Sequence, residues 1–242
     1  MIFSKAFAGS VEEVNLGAKG CKTCAEEVKA GTDCNIIVAA APVFGGRIPH
    51  IVSEKLGELC GKGKKAVTLA VYGNRAYEDA LLEMNDVLTG SGFEVIASGA
   101  FIAQHSMVPF VGAGRPDMTD TEEIEPFARA VSEKLDSCAV DCKIRSEVPG
   151  NHPYKDPMTI PATPISGESC TACGSCVRIC PTDAISISEG KIQTDISKCM
   201  LCMACTAACP THARILSPSV QAAMNDKLGA LKAVRTKNEW FL

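Results

Sequence analysis

The chain has 242 residues, 46% of them hydrophobic and 21% charged, with a formal net charge of −4 at pH 7. This composition suffices for one sizeable core and a smaller domain, and the acidic balance argues against a nucleic-acid partner, which would bind a basic face. No apolar run is long enough to cross a bilayer, and the first residues lack the pattern of a signal peptide. We therefore expect a cytoplasmic protein without a membrane span.

The first 137 residues alternate between strand-like and helix-like segments. Continuous apolar runs at 35–41 and 66–72 are typical of parallel strands that are buried on both faces of a sheet, and a further strand is predicted at 93–102. A shorter strand is predicted at 11–16. Strands that alternate with helices indicate an α/β fold with right-handed crossovers.

The segments between these strands have the period of amphipathic helices. One helix is predicted to begin after Pro49, and a second has its apolar stripe centred on Met84. A third is predicted to begin with a capping box formed by Thr119 and Glu122. Each helix would pack one apolar face on the sheet, so residues 1–137 are expected to form one domain.

A connector is predicted from residue 138 to residue 164. Five prolines disfavour helix there and favour an extended chain: Pro149, Pro153, Pro157, Pro161 and Pro164. A compact cysteine-rich segment follows at 165–217. Residues 218–242 predict a last helix and a tail, and we expect the aromatic residues Trp240 and Phe241 to dock on one of the domains.

Eight of the 14 cysteines lie in two runs of identical spacing that are displaced by 29 residues. The first run is Cys170-x2-Cys173-x2-Cys176-x3-Cys180-Pro, and the second is Cys199-x2-Cys202-x2-Cys205-x3-Cys209-Pro. Two-residue spacers let three thiolates reach three corners of one [4Fe–4S] cube, and in such repeats the fourth cysteine ligates the other cluster. The runs therefore predict two [4Fe–4S] clusters, one held by Cys170, Cys173, Cys176 and Cys209, the other by Cys199, Cys202, Cys205 and Cys180.

Zinc is the alternative metal for Cys-x2-Cys pairs. A zinc site requires neither a third cysteine two residues later nor a fourth three residues beyond it, so the repeated pattern favours iron–sulfur clusters. Isoleucines near the runs are expected to form a dry shell that tunes the reduction potential: Ile179, Ile185, Ile187, Ile192 and Ile196.

The remaining cysteines and one histidine are interpreted as structural. Six cysteines lie outside the two runs: Cys21, Cys24, Cys34, Cys60, Cys138 and Cys142. A redox or metal pair at Cys21 and Cys24, completed by Cys138 and Cys142, is the alternative to ordinary cytosolic thiols. His105 follows a predicted strand and could contact a flavin, but a structural role is the main interpretation.

Residues 165–217 resemble a bacterial two-cluster ferredoxin in both cysteine runs and in the prolines that follow them. Ferredoxins of this type carry electrons. The resemblance therefore implies that this segment forms a small α+β domain that transfers electrons, with a redox protein or a small-molecule electron acceptor as its partner. The sequence does not determine the oligomeric state.

Two loops extend the resemblance over almost the whole chain. Pro42-Val-Phe-Gly45 and Tyr72-Gly-Asn-Arg-Ala-Tyr77 leave the carboxyl ends of buried strands, where open α/β sheets bind ligands. With Ala100-Phe-Ile-Ala-Gln-His-Ser106, they resemble a family of flavodoxin–ferredoxin fusions, in which a flavodoxin-like domain precedes a proline-rich connector and a two-cluster ferredoxin. The resemblance implies FMN contacts from Pro42, Val43, Phe44, Gly45, Tyr72, Gly73, Asn74 and Tyr77. Ordinary strand–helix turns with core aromatics are the alternative.

The chain departs from this family at its start. Flavodoxin-like sheets bind the FMN phosphate in the loop after strand 1, and nothing before Val11 reads as a strand followed by a Ser/Thr/Gly loop. The expected fold is therefore α/β: an N-terminally truncated, flavodoxin-like parallel sheet with a small α+β two-cluster ferredoxin domain.

Two functional hypotheses follow. In the first, the protein is an electron carrier or oxidoreductase component whose two clusters exchange electrons with an FMN in the flavodoxin-like domain. In the second, it is a flavin-dependent reductase of a small organic acceptor, and the clusters feed the flavin. No catalytic acid, base or nucleophile stands out, which favours a carrier over a self-contained enzyme.

Overall fold

The computed structural model describes residues 11–18, 36–137 and 147–242. A four-stranded sheet in the order β1-β2-β3-β8 forms the centre of the first domain. The segments predicted as strands at 35–41, 66–72 and 93–102 form neighbouring parallel strands: β1 (Ile36–Pro42), β2 (Lys65–Tyr72) and β3 (Glu94–Ile102). The last strand, β8 (Glu239–Phe241), pairs antiparallel with β3 and comes from the C-terminal tail.

Three helices cover both faces of this sheet: α1 (His50–Gly57), α2 (Ala80–Gly90) and α3 (Met118–Ser137). Leu56 of α1 and Met84 of α2 belong to one core cluster, and Phe127 of α3 belongs to another on the opposite face. Both faces of β2 and β3 are thus buried, which explains why their sequences are mostly apolar. The prediction that 35–41 is buried on both faces is wrong, because β1 lies at the sheet edge and alternate residues such as Val38 are exposed. Of the helices in the described parts of the chain, none combines the length and apolar character that crossing a bilayer would require.

The predicted capping box at Thr119 and Glu122 is wrong, because α3 begins at Met118. Asp120 N–H donates to Asp117 Oδ1 at 3.1 Å, and Asp117 N–H donates to Asp120 Oδ2 at 2.8 Å. These two aspartates satisfy the free N–H groups at the start of the helix in the same reciprocal way that a Thr/Glu box would. Asp120 is fully buried and also forms a salt bridge with Arg115.

The strand predicted at 11–16 is also wrong, because no strand forms in the described residues 11–18. Asn15 Oδ1 accepts a hydrogen bond from Gly17 N–H at 3.0 Å, and Asn15 C=O accepts one from Ala18 N–H. A side chain that bonds its own backbone two residues on favours a turn over an extended strand. Leu16 still packs on the first core cluster, so the segment contributes apolar contacts to the core without forming a strand.

The C-terminal tail docks on the first domain, as its aromatic residues predict. The ring of Trp240 stacks on Phe127 with 5.7 Å between ring centroids. Asn238 Oδ1 accepts from Ile102 N–H, and Asn238 Nδ2 donates to Asp120 Oδ1, each at 2.9 Å. The tail therefore joins the sheet both through apolar contact and through the buried polar group at the start of α3.

The cysteine-rich segment folds into short elements. Its strands form two antiparallel pairs: β4 (Ile165–Ser166) with β7 (Arg214–Ile215), and β5 (Ile185–Ser188) with β6 (Lys191–Thr194). Its helices are α4 (Ser175–Ile179) and α5 (Ala204–Ala207), followed by α6 (Pro218–Leu228) and a 3-10 helix (Gly229–Ala233). Val108 and Val111 of the first domain pack against Leu216 and Leu228, so the two parts share an apolar cluster.

Candidate iron–sulfur site

The repeat of 29 residues is visible in the backbone as well as in the sequence. Left-handed conformations recur at equivalent positions of the two runs: Ala172 and Leu201, Gly174 and Met203, Asp183 and His212. The first two pairs lie in the spacers between cysteines, where the chain must bend around whatever the thiols bind. Non-glycine residues adopt this conformation at a cost, so its recurrence indicates that the same tight wrap is imposed on both halves.

The first candidate site is a cavity that contains thiols from both runs. Its lining includes the four cysteines Cys170, Cys173, Cys176 and Cys209. Cys176 is carried by α4, whereas Cys209 follows α5 of the second half. Cys209 Sγ lies 3.7 Å from Thr211 Oγ1, and Cys173 Sγ lies 3.4 Å from Ser175 Oγ. The chain thus brings the last cysteine of one run to the first three of the other.

The second set of thiols is more deeply buried. Cys180 and Cys205 belong to one buried cluster, and Cys199 packs against it. Burial raises the pKa of Cys202, and the nearby thiols of Cys180 and Cys199 raise it further. Cys180 Sγ lies 3.7 Å from Thr182 Oγ1, which matches the Cys209–Thr211 pair one repeat later. The fourth cysteine of the first run therefore lies among the first three of the second.

Hydrogen bonds favour thiolates at the rim of the first cavity. The Ser175 hydroxyl and backbone N–H lower the pKa of Cys173. Burial acts to raise the pKa of Cys209, but hydrogen bonds from the backbone N–H of Arg214 and from Thr211 outweigh it, and the pKa is lowered. Because the thiolate is the form that binds metal, these donors favour ligation.

The donor set fits an iron–sulfur cluster. Four thiols surround each cluster in ferredoxins with this spacing, and four thiols line the first cavity. Within 11–18, 36–137 and 147–242, no three His, Cys, Asp or Glu side chains converge on a point that would hold a single metal ion. The thiols are spread around the cavity wall instead.

The predicted dry shell of isoleucines is wrong for three of its five members. Ile179, Ile187 and Ile196 are 47%, 47% and 56% exposed, whereas Ile185 is buried and Ile192 is half-buried. Ile185 lies at the base of the β5–β6 hairpin, in the buried cluster with Cys176 and Cys205, whereas Ile187 lies nearer the hairpin turn. Ile179 and Ile196 lie outside the hairpin.

Sequence reasoning missed Arg214, a buried residue that also lines the first cavity. Burial raises the pKa of Cys176 and of Cys205, and the positive charge of Arg214 opposes that rise at both thiols. The signal that could have revealed it is the repeat itself, because a displacement of 29 residues aligns Arg214 with the apolar residue Ile185.

The first loop that the resemblance assigns to FMN is covered by the connector. Pro42 is exposed, Val43 N–H donates to Val71 C=O, and Phe44 closes a tight turn with Arg47. A Cβ at Gly45 would lie 2.3 Å from Met158 Cβ, so the connector packs directly on this loop.

Arg47 anchors the connector over the same loop. Its guanidinium donates to Lys155 C=O at 2.7 Å and lies 4.6 Å from the ring centroid of Tyr154. It also forms a two-point salt bridge with Glu83, with N–O distances of 2.7 and 2.8 Å. The connector thus fills the space beside Phe44 and Gly45.

The second loop is engaged by the core and the tail. Tyr72 and Tyr77 are buried and meet edge to face, with 5.4 Å between ring centroids. Burial raises the pKa of Tyr72 to about 12, and Tyr77 donates to Glu239 of β8. Asn74, which is also buried, donates from Nδ2 to Val234 C=O at 2.7 Å.

His105 packs on the remaining position of this loop, Gly73. A Cβ at Gly73 would lie 2.6 Å from the imidazole ring. His105 Nδ1 accepts from the N–H groups of Met107 and Val108 at 3.2 Å each, and burial lowers its pKa. These contacts are those of a neutral histidine that stabilises the following turn, in agreement with its structural interpretation.

Among the six other cysteines, Cys60 is exposed and carries a free thiol. The pairing considered for Cys21, Cys24, Cys138 and Cys142 lies outside the described residues, as does Cys34.

Comparison with known families identifies the cysteine-rich segment. Residues 169–213 match the model of the 4Fe-4S dicluster domain. No curated protein matches the chain. The chain thus combines a mixed α/β region, whose sheet is mostly parallel, with a small ferredoxin-like iron–sulfur domain. A 4Fe-4S dicluster domain is an electron-transfer module, which makes other redox-active molecules its partners.

Proposed function

We propose that the protein is an electron carrier or oxidoreductase component that relays electrons through two [4Fe–4S] clusters. Cys170, Cys173, Cys176 and Cys209 would hold one cluster, and Cys199, Cys202, Cys205 and Cys180 the other. Each [4Fe–4S] cluster supplies a site that takes up and releases one electron at a time. A redox protein or a small electron acceptor is the proposed partner.

One observation carries this proposal. Three thiols of the first run line a single cavity together with the last thiol of the second run. A cubane cluster is held by four thiols, and four thiols line this cavity. Three come from the first run and one from the second, which is the exchange of the fourth ligand that the repeat predicts. For the second cluster the support is the proximity of Cys180 and Cys199 to Cys202, whose pKa they raise. Cys180 is also buried with Cys205, in a cluster that contains Cys176 of the first set as well.

The surrounding residues would control how much water reaches each cluster. Cys176, Cys180, Cys205 and Cys209 are each less than a tenth exposed, so the chain excludes water from that side of each ligand set. Cys173 is exposed, which leaves one ligand of the first set near the surface. Because electron transfer requires a short path to the partner, the face around Cys173 is the proposed exit for electrons.

The resemblance to flavodoxin–ferredoxin fusions adds FMN to the expectation, but the proposal contains no step through a flavin. Met158 covers Gly45, and the tail occupies the donors and acceptors of Asn74. Residues assigned to FMN are thus engaged by other parts of the chain. A flavin-fed reduction of an organic acceptor has no supporting contact in the described residues.

Anaerobic purification followed by metal, sulfide and flavin analysis tests the proposal. We expect about eight iron and about eight acid-labile sulfide per chain. Zinc without sulfide would replace the electron-transfer function with a structural metal site. One FMN per chain would restore the flavin hypothesis and show that the connector and tail can leave the two loops.

A further inference from the structure

Arg214 interrupts the internal symmetry of the iron–sulfur domain. The first run continues as Cys180-Pro-Thr-Asp-Ala-Ile185, and the second as Cys209-Pro-Thr-His-Ala-Arg214. Ile185 is 6% exposed and packs in an apolar cluster, so the equivalent position of the second half is also a core position. At this position the second half has a cation.

The guanidinium of Arg214 is buried without a carboxylate. The residue is 3% exposed, and its Nη1 and Nη2 donate to the neutral hydroxyls of Ser166 and Thr194 at 3.0 and 2.8 Å. Its Nε is buried and has no hydrogen-bond partner. Arg214 takes part in none of the salt bridges between described residues. A buried charge of this kind is costly unless an opposite charge lies nearby.

The groups that face Arg214 are the cysteines of both sets. Arg214 lines the cavity that contains Cys170, Cys173, Cys176 and Cys209. Cys176 of this set shares a buried cluster with Cys205 of the other set, and the charge of Arg214 acts on both. Thiolates that bind iron are anionic ligands, so both sets would place negative charge next to this cation.

We propose that Arg214 is the shared counterion of the two iron–sulfur clusters and raises the reduction potential of both. This inference rests on the proposed function, because it requires clusters at both cysteine sets. Reduction adds negative charge to a cluster, and a fixed cation in a poorly solvated site stabilises the reduced form more than the oxidised form. The set that contains Cys176 should respond most, because Arg214 lines the cavity of that set.

The test is a redox titration of the cluster-loaded protein, followed by electron paramagnetic resonance, for the unmodified chain and for Arg214→Gln. Glutamine removes the charge and retains a donor for Ser166 or Thr194. We expect the reduction equilibrium to become about tenfold less favourable for at least one cluster, which is about 59 mV for a one-electron couple. Iron and sulfide contents should remain those of the unmodified chain.

Two further variants separate charge from packing. Arg214→Lys retains the charge, so we expect potentials close to those of the unmodified chain. Lys191→Gln removes an exposed cation of the same domain, and solvent screening should limit its effect to less than about threefold. Arg214→Ile places in the second half the residue that the first half has, and it should behave as Arg214→Gln.

Each outcome is decisive. Unchanged potentials in a loaded Arg214→Gln or Arg214→Ile protein would overturn the inference and leave the proposed function intact. If both neutral variants lose iron and Arg214→Lys keeps it, the charge is needed to hold the clusters, which supports the counterion role. Loss of iron in all three variants would show that Arg214 acts by packing and would overturn it. An unmodified chain without iron and sulfide would instead remove the proposed function itself.

Discussion

In the proposed ligand assignment, the fourth cysteine of each run holds the two halves of the iron–sulfur domain together. Cys209 lies with the thiols of the first run, and Cys180 lies with those of the second. Each cluster would therefore bridge both halves, and the loss of one cluster would weaken the attachment of both. Metal binding of this kind contributes directly to folding, which is important for a domain with few buried apolar residues.

Double serine variants test this exchange. Cys170→Ser combined with Cys209→Ser removes two ligands of one cluster, so we expect about four iron per chain to remain. Cys170→Ser combined with Cys180→Ser removes one ligand from each cluster and should leave less iron than the first pair, because both sites are damaged. Iron and sulfide analysis after anaerobic purification measures the difference.

The control is Cys60→Ser, which changes an exposed thiol outside the runs and should keep the full iron content. If the exchange is absent and each run holds its own cluster, the order of the two double variants reverses. That reversal would refute the ligand assignment while leaving two clusters per chain.

At the scale of elements, the connector is attached to the start of α2 by a buried carboxylate. Asp79 is 2% exposed, and it accepts from Asn151 N–H at 2.9 Å and from Lys155 N–H at 2.7 Å. Burial acts to raise the pKa of Asp79, but these backbone donors outweigh it, and the pKa is lowered. The carboxylate is thus the group that orders the connector over the first loop.

Asp79→Asn should release the connector. The amide is a weaker acceptor than the carboxylate, and a loss of about 1–2 kcal/mol would increase the population of the open connector about 5–30-fold. Limited trypsin digestion, which cleaves after Lys155, should accelerate by a similar factor. Asp226→Asn, an exposed aspartate on α6, is the matched control and should leave the cleavage rate unchanged. Equal rates for both variants would show that the connector is held by other contacts.

The elements that the sequence predicts well are those with a regular pattern of hydrophobic residues. The three parallel strands and the helices around Met84 and Phe127 form because long apolar patterns determine which face is buried. The strand β8 has only three residues and no pattern to read, so its pairing with β3 depends on the shape of the sheet edge. The 11–16 segment shows the opposite case, since Asn15 forms a turn within an alternating stretch.

The candidate site was more predictable than the fold around it. Eight cysteines at a repeated spacing specify their own geometry, because a cubane cluster accepts few arrangements of the chain. The role of Arg214 could not be predicted in this way, because a charged residue at the start of a two-residue strand normally faces solvent. Only the packing of β7 against the cysteine cavity buries it.

At the scale of the whole molecule, the two domains are joined at three places. Val108 and Val111 share an apolar cluster with Leu216 and Leu228, and Gln221 Nε2 donates to Met107 C=O at 2.9 Å. The connector and the tail provide the other two attachments. These contacts pack the iron–sulfur domain against the α/β domain.

Leu228→Ala tests the contribution of this shared cluster. Leu228 is 4% exposed, and its truncation should cost about 2–5 kcal/mol, because it leaves a cavity between the domains. In an anaerobic urea series, we expect the visible absorbance of the clusters to be lost at lower urea. Val234→Ala, at a position that is 47% exposed, should change the free energy of unfolding by less than about 0.5 kcal/mol. Matching urea curves for both variants would show that the domains are stable without each other.

The most direct test of the electron-transfer function is a coulometric reductive titration of the anaerobically purified chain. Two clusters that each take up one electron predict an uptake of about two electrons per chain in one-electron steps. An uptake of about four would indicate an additional two-electron cofactor such as a flavin. A chain that takes up no electrons would contradict the account, because none of the cysteine geometry described above would then serve electron transfer.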